Sequence, residues 1–212
     1  MLIAELSLMH PEAGTEMLQR VFGFDSIGGF LRLGTQMLSV TQASGPRTHG
    51  RIDHIALAVP DIDVALARMT GAGAALDVAV TPNGPKDIPE FWETGIRYVF
   101  VSGPEGARIE LCQRNTDAVD CTGHDHIGIP CRDIAAMQAF FEAHGATLMA
   151  SVDLIRDGAL IPVRFLAFAD GVIELYAPRQ SGFADLGLWS GLRVKGLTSD
   201  LEGPDGLILA PL

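Results

Sequence analysis

Two related stretches of sequence, RIDHIALAVPDID (residues 51–63) and HDHIGIPCRDI (residues 124–134), decide the fold. Each places one histidine, His54 or His126, inside an apolar run whose composition and alternation predict a β-strand. Each run is followed by an aspartate, Asp61 or Asp133, that can cap a helix. The recurrence of the whole pattern indicates an internal repeat.

Both stretches open a predicted β-α-β-β-β module. The first continues with a helix VALARMTGAG, a strand ALDVAV, a long loop TPNGPKDIPEFWETG and strands at residues 96–101 and 107–113. The second continues with a helix IAAMQAFFEAHGA and the strands TLMASVDLI, VRFLAFA and VIELYA. RYVFV matches RFLAF and RIELC matches VIELY, so the repeat extends to the last strand of each module.

Alternation along the strands gives the two histidines a functional interpretation. His54 shares its strand face with Ala56, and His126 shares its face with Gly128, whereas the large aliphatic residues point to the opposite face. We therefore expect the aliphatic face to pack beneath the helix. Small residues leave space on the histidine face.

One glutamate stands on the last strand of each module. Glu110 and Glu174 lie among strand aliphatics, where a carboxylate is costly unless it is paired or ligated. With His54 and His126 they make a mixed nitrogen and oxygen set that suits one six-coordinate divalent ion. Zinc more often takes four ligands, so Ni, Mn, Co, Fe and Mg compete with Zn for this site.

Composition limits the partners of the chain. The formal net charge of −11 argues against nucleic acid or an anionic membrane surface, because both reward an excess of Lys and Arg. No apolar run approaches the roughly 20 residues of a membrane span, and MLIAELSLMHPE predicts a strand instead of a signal peptide. Three cysteines are an odd count without a close pair, which favours a reducing, cytoplasmic location.

The motifs DHIAL, RIELC, DHIGI and VIELY resemble the vicinal oxygen chelate superfamily over residues 52–178. That superfamily includes glyoxalase I, methylmalonyl-CoA epimerase, extradiol dioxygenases and the fosfomycin- and bleomycin-resistance proteins. The resemblance implies an α+β fold in which paired βαβββ modules curl into a cup around one divalent metal ion. It implies the metal ligands His54, Glu110, His126 and Glu174, in an order that is similar to the glyoxalase and epimerase branches. We also expect a homodimer.

The resemblance implies a metal-dependent lyase or isomerase as the leading function. Its small-molecule substrate would present two adjacent oxygens and react through an enediolate, with Glu174 as the catalytic base. A first alternative is an Fe(II)-dependent extradiol-type dioxygenase that uses His54, His126 and Glu174 and leaves Glu110 as a surplus carboxylate. A second alternative is a non-catalytic binding or resistance protein.

Five further residues are candidates for substrate binding. Each also has a structural interpretation: a loop anchor for the first two, an ion pair for the arginines and core packing for the tyrosine. They are Phe91, Trp92, Arg97, Arg164 and Tyr176. Among the remaining histidines, His124 is expected at the rim of the site and His49 in an exposed linker.

The ends of the chain predict a further, degenerate module. IAELSLM resembles IDHIALA with Glu5 in the histidine position, and QMLSVTQ predicts a strand with Ser39 in the glutamate position. We therefore divide the chain into residues 1–45, a structural βαββ module, residues 51–115 and 122–180, the two complete modules, and residues 181–212, a tail. We expect the tail to supply strands to the N-terminal module.

Overall fold

The fold is built from two β-sheets with short helices packed on them. A computed structural model describes residues 1–115, 123–156, 158–177 and 187–212. Over these residues the predicted α+β class is confirmed. No helix of the described ranges combines the length and apolar character that a membrane crossing demands.

The N-terminal elements and the C-terminal elements form one sheet. The N-terminal elements are β1 (Leu2–Leu8), α1 (Pro11–Met17, extended by a π turn at Leu18–Phe22), β2 (Asp25–Ile27), β3 (Phe30–Leu33) and β4 (Gln36–Gln42). The central elements are β5 (His54–Ala58), α2 (Ile62–Gly71), β6 (Ala75–Leu76), β7 (Lys86–Ile88), β8 (Ile96–Ser102), β9 (Arg108–Arg114), β10 (Gly123–Pro130), α3 (Ile134–Ala143), β11 (Thr147–Arg156), β12 (Ala159–Phe168) and β13 (Gly171–Tyr176). The C-terminal elements are β14 (Trp189–Val194), β15 (Leu201–Glu202) and β16 (Ile208–Pro211).

The central sheet has the strand order β11-β12-β13-β10-β5-β9-β8-β6, with β7 paired to β8. Its middle is a pair of antiparallel strands, β5 and β10, which are the first strands of the two repeats. Each of them pairs in parallel with the last strand of its own repeat, β5 with β9 and β10 with β13. The two repeats therefore meet at the strands that carry the predicted ligands.

Helix capping follows the sequence closely. The Asp61 carboxylate accepts a hydrogen bond from the Val64 amide at 3.0 Å, and α2 begins at the next residue, Ile62. The Asp133 carboxylate accepts from the Ala136 amide at 3.0 Å in the same way, at the start of α3. Both predicted caps are confirmed.

The second strand of the first repeat is shorter than expected. ALDVAV forms a strand only at Ala75–Leu76, because Asp77 turns the chain at that point. The Asp77 side chain accepts from the Ala79 amide, and its carbonyl accepts from the Thr81 amide. The predicted long loop in turn contains a short strand, β7, which hydrogen-bonds to β8.

Aliphatic residues on one face of each central strand fill the core. Ile55, Leu57, Ile127 and Ile129 are fully buried, as the alternation predicted. They belong to one continuous hydrophobic core that also takes in residues of the other sheet, such as Leu192. The opposite face of β5 and β10 is thereby left to the histidines.

The other sheet repeats the pairing scheme of the central one. Its order is β15-β16-β14-β1-β4-β3-β2, in which β1 pairs antiparallel with β14 and parallel with β4. In the central sheet, Glu110 lies opposite Ala56, two residues beyond His54. In the other sheet, Ser7 lies two residues beyond Glu5, and its partner on β4 is Thr41. Thr41, and not Ser39 as the sequence suggested, therefore occupies the position that corresponds to Glu110. The register of the paired strands decides this position, and motif similarity alone does not reveal the register.

Candidate metal centre and substrate cavity

Four side chains from four strands meet on the concave face of the central sheet. The Nε2 atoms of His54 and His126 are 3.3 Å apart. The Glu110 Oε2 atom lies 3.0 Å from the first and 3.2 Å from the second. The Glu174 Oε2 atom lies 3.7 Å and 3.4 Å from the same two nitrogens. The sheet therefore brings together all four predicted ligand residues.

Strand register explains how two bulky rings fit side by side. His54 lies opposite Gly128 in the β5–β10 pair, and His126 lies opposite Ala56. A Cβ atom built on Gly128 would overlap the His54 imidazole. Each ring thus lies over the neighbouring strand at a small residue, which is why the histidine face carries Ala and Gly.

An aspartate precedes each of these histidines and fixes its ring. Asp53 Oδ2 lies 3.1 Å from His54 Nδ1, and Asp125 Oδ1 lies 2.8 Å from His126 Nδ1. A carboxylate can only accept, so each Nδ1 carries the proton and each Nε2 of a neutral ring presents its lone pair to the site. The Asp-His pair that recurs in DHIAL and DHIGI is the sequence signal for this arrangement.

Arginines hold the two aspartates in turn. The Arg108 guanidinium donates to Asp53 at 2.6 Å and to Asp77 at 3.0 Å. The Arg114 Nε atom donates to Asp125 at 3.3 Å. Such partners behind a ligating histidine fix its orientation and tautomer.

The donor set fits a divalent metal ion. The two Nε2 atoms and the two carboxylate oxygens are all acceptors, and all four residues are buried. Four converging acceptors repel one another unless a proton or a cation lies between them. Ligands held about 2.1 Å from one ion are roughly 3.0–3.4 Å apart, close to the separations found here.

Protonation of the imidazoles provides the charge balance in the metal-free site. Burial lowers the pKa of His54, but hydrogen bonds with Asp53 and Glu110 outweigh it and raise the pKa to about 9. Burial also opposes charge on His126, yet the Glu174 charge and the Asp125 hydrogen bond hold its pKa well above the usual value. Burial raises the pKa of Glu110, but its hydrogen bonds to both histidines lower it by more.

A cavity of about 630 Å³ opens onto these ligands. Its polar lining includes Asp53, Arg108 and the ligand residues, and much of the rest of its wall is apolar. Two of the predicted substrate-binding residues, Phe91 and Tyr176, line this cavity. The Tyr176 ring lies 6.2 Å from the His54 ring between centroids.

Trp92 is not among the described residues that line the cavity. Its ring packs on Phe165 with 5.1 Å between centroids, and the Arg114 guanidinium lies 4.4 Å from its ring. Of the two interpretations that the sequence left open for Trp92, the structure supports the loop anchor.

The two candidate arginines face away from the cavity. Arg97 shares a face of β8 with Val99 in the helix-covered core and pairs with Asp63 of α2 at 2.8 Å. Arg164 pairs with Asp153 on the neighbouring strand at 3.0 Å. Strand alternation turns both side chains to the other face, where each forms the ion pair that was the alternative to substrate binding.

Two histidines lie elsewhere than expected. His124 is not a rim residue: its Nδ1 bonds Gln36 Oε1 at 2.7 Å, and its Nε2 accepts from the Val172 amide at 2.7 Å, which links the two sheets. His49 is not an exposed linker residue: it lines the cavity, and its buried Nδ1 has no hydrogen-bond partner among the described residues. Linkers lack a periodic pattern, so no sequence signal indicates where the His49 side chain points.

Cys112 and Cys131 are buried thiols, and Cys121 lies outside the described residues. Cys112 is on β9, two residues beyond Glu110. Burial and the nearby Glu110 charge raise the pKa of the Cys112 thiol well above its usual value. A buried thiol with a raised pKa is chemically inert, so Cys112 serves as a packing residue.

Comparison with known proteins agrees with this geometry. Residues 53–168 match the sequence profile of the Glyoxalase/Bleomycin resistance protein/Dioxygenase superfamily. A variant of glyoxalase I from Zea mays superimposes with a TM-score of 0.74 at 14% identity, covering 99% of this chain and 90% of that one. Another structure of glyoxalase I from Zea mays gives a TM-score of 0.69 at 16% identity, covering 91% and 73%. At these identities the likeness shows a shared fold, and no curated protein sequence matches the chain.

Proposed function

The chain belongs to the Glyoxalase/Bleomycin resistance protein/Dioxygenase superfamily, and on this basis we propose that it is a divalent-metal-dependent lyase or isomerase. Its substrate would be a small molecule with two adjacent oxygens. The observation that carries this proposal is the convergence of four buried acceptor atoms, from His54, Glu110, His126 and Glu174, on one point of an open cavity. The homodimer, the cytoplasmic location and the module boundaries stay predictions.

His54, His126 and Glu110 form the most compact part of the proposed site. Their ligand atoms all lie within 4.8 Å of one another, and each imidazole is held by an aspartate. A divalent cation bound there supplies Lewis-acid stabilisation of negative charge on neighbouring substrate oxygens. The protein's contribution is to hold the donors rigidly and to exclude water from them.

Glu174 is the carboxylate that we propose as the base. Its Oε2 atom lies farther from both imidazoles than the Glu110 oxygen does, and its side chain is 12% exposed against 7% for Glu110. A carboxylate that is held less tightly can turn towards a substrate carbon and take a proton from it. Glu110, bonded to both histidines, is better placed to stay fixed.

Paired substitutions test these roles. Glu174→Gln should keep its metal and its circular dichroism, while exchange of the carbon-bound protons of hydroxyacetone and 2-hydroxyacetophenone in D2O falls by about 100-fold or more. Glu110→Gln should lose metal, measured by elemental analysis of protein purified without chelator. Undiminished exchange in Glu174→Gln would show that Glu174 is not the base. A wild-type protein that retains no divalent metal would contradict the proposed metal-dependent function.

An Fe(II)-dependent dioxygenase is the second candidate. Two histidines and one carboxylate, the set of His54, His126 and Glu110, are the ligand types of non-haem iron oxygenases. The dioxygenase alternative drawn from the sequence, however, uses Glu174 as the third ligand. Glu110 lies closer than Glu174 to both imidazoles, which counts against this candidate. Oxygen consumption by the Fe(II)-loaded protein with catechols, unaffected by Glu110→Ala, would favour this candidate.

A non-catalytic binding protein is the third candidate. Such a protein has no need of a buried set of four acceptors, so the ligand cluster counts against it. It would be supported if the protein bound small molecules equally well with and without divalent metal.

A further inference from the structure

The cavity joins a polar site to a hydrophobic cluster. Besides the main core, the concave face of the central sheet carries a separate cluster of apolar residues that includes Phe91, Leu154 and Val163. Ile161 and Tyr98 are only partly buried against this cluster, and all five residues line the cavity. Partly exposed apolar side chains in a cavity are surface that a ligand can bury.

Among the residues that the structure describes, the cavity lining has no cation that is free to pair with an anionic substrate tail. Among the described lining residues, Arg108 is the only lysine or arginine, and its guanidinium is held by Asp53 at 2.6 Å and Asp77 at 3.0 Å. The carboxylates of Asp53, Glu110 and Glu174 belong to the same lining. A peptide carboxylate or a phosphate in this cavity would meet negative charge without a counter-ion.

We propose that the substrate carries an uncharged apolar substituent, an aryl or branched alkyl group, beside its two adjacent oxygens. Substrates with anionic tails, such as glutathione or CoA conjugates, are disfavoured. This inference rests on the proposed function, because a metal ion held by the four proposed ligand residues would bind the two oxygens at one end of the substrate. The hydrophobic cluster then receives the substituent, and burial of each additional methylene strengthens binding about fourfold.

A hydroxamate series tests the inference, because hydroxamates present two adjacent oxygens and their tails vary freely. Isothermal titration calorimetry of the Co(II)-loaded protein would compare acetohydroxamate, butyrohydroxamate, hexanohydroxamate and benzohydroxamate with the monohydroxamate of succinate. Affinity should rise about fourfold per methylene from the acetyl to the hexanoyl compound. The succinate compound, whose tail ends in a carboxylate, should bind more weakly than the butyryl compound.

Two adjacent residues of β12 provide matched variants. Ile161 lines the cavity, whereas Leu160 is 62% exposed and does not line it. Ile161→Thr should weaken hexanohydroxamate about fivefold and leave acetohydroxamate unchanged, and Leu160→Thr should change neither. Threonine is β-branched, which suits a strand, so both variants should fold.

The possible outcomes separate the two claims. The proposed apolar substituent would be contradicted if affinity did not rise along the series, or if the succinate compound bound more tightly than the butyryl compound. Neither result would contradict the proposed metal site. Equal losses in Ile161→Thr and Leu160→Thr would also contradict the apolar substituent. A protein that takes up no Co(II) would overturn both the inference and the proposed function.

Discussion

His54 and His126 face each other with their Nε2 atoms 3.3 Å apart, although 72 residues separate them in the chain. The contact exists because the first strands of the two repeats pair antiparallel, which sets each histidine opposite a small residue of the other strand. Each repeat contributes one imidazole and one carboxylate, so neither repeat holds the proposed site alone.

Gly128→Ala should disrupt metal binding although it replaces none of the four proposed ligand residues. The added methyl group would overlap the His54 imidazole, which would have to leave its position. We expect at least about a tenfold loss of metal affinity, measured by calorimetric titration of Co(II) into the metal-free protein.

Gly191 provides the control for this variant. It lies opposite Glu5 in the other sheet, as Gly128 lies opposite His54, but the nearest atom to a Cβ there is the Ile208 carbonyl oxygen at 3.9 Å. Gly191→Ala should therefore keep full metal affinity. Wild-type metal affinity in Gly128→Ala would show that His54 is not held against that strand.

Asp125→Asn should weaken metal binding through His126. Asparagine keeps the size and an acceptor for His126 Nδ1 but removes the negative charge that fixes the ring and its tautomer. The expected loss of metal affinity is about 10-fold to 100-fold. Asp153→Asn, which removes a half-exposed carboxylate paired with Arg164, is the matched control and should change nothing. Equal affinities in the two variants would contradict a positioning role for Asp125.

The sequence predicted the elements that depend on local patterns. Alternation around His54 and His126 placed both strands and their aliphatic faces, and Asp61 and Asp133 capped their helices as expected, because these signals involve only near neighbours in the chain. The repeat then placed Glu110 by analogy with Glu174. Convergence of the four side chains follows from the pairing of the strands.

Features that depend on register or on irregular backbone were missed. The face of Arg97 is fixed by the pairing of Phe100 with Glu110 in the β8–β9 ladder, which the sequence does not reveal. Asp77 shortens β6 through a side-chain turn inside an otherwise strand-like run. His49 reaches the cavity from a linker, where no periodicity indicates the direction of a side chain.

Arg97→Ala should leave the cavity unaffected. The Arg97–Asp63 pair is on the protein surface, where the Asp63 side chain is 65% exposed, so its loss should leave the free energy of unfolding nearly unchanged. Benzohydroxamate affinity should stay within about twofold of wild type. Tyr98→Ala, at the next position on the cavity face, should weaken benzohydroxamate binding. If Arg97→Ala lost more benzohydroxamate affinity than Tyr98→Ala, Arg97 would be shown to contact the ligand.

Metal binding should release protons at neutral pH. With its pKa raised to about 9, His54 is protonated in the metal-free protein at pH 7, and the pKa of His126 is raised in the same direction. An imidazole must be neutral to ligate a metal, so the ion displaces these protons. Metal affinity should therefore increase with pH, by about tenfold per pH unit for each proton released, until the pH passes the raised pKa values.

Calorimetric titrations of Co(II) at pH 7 in buffers of different ionisation enthalpy count the protons that metal binding releases. The His54→Ala variant should release about one proton fewer than the wild-type protein. Affinity that is constant between pH 6 and pH 9, with no proton release, would contradict direct ligation by the two histidines.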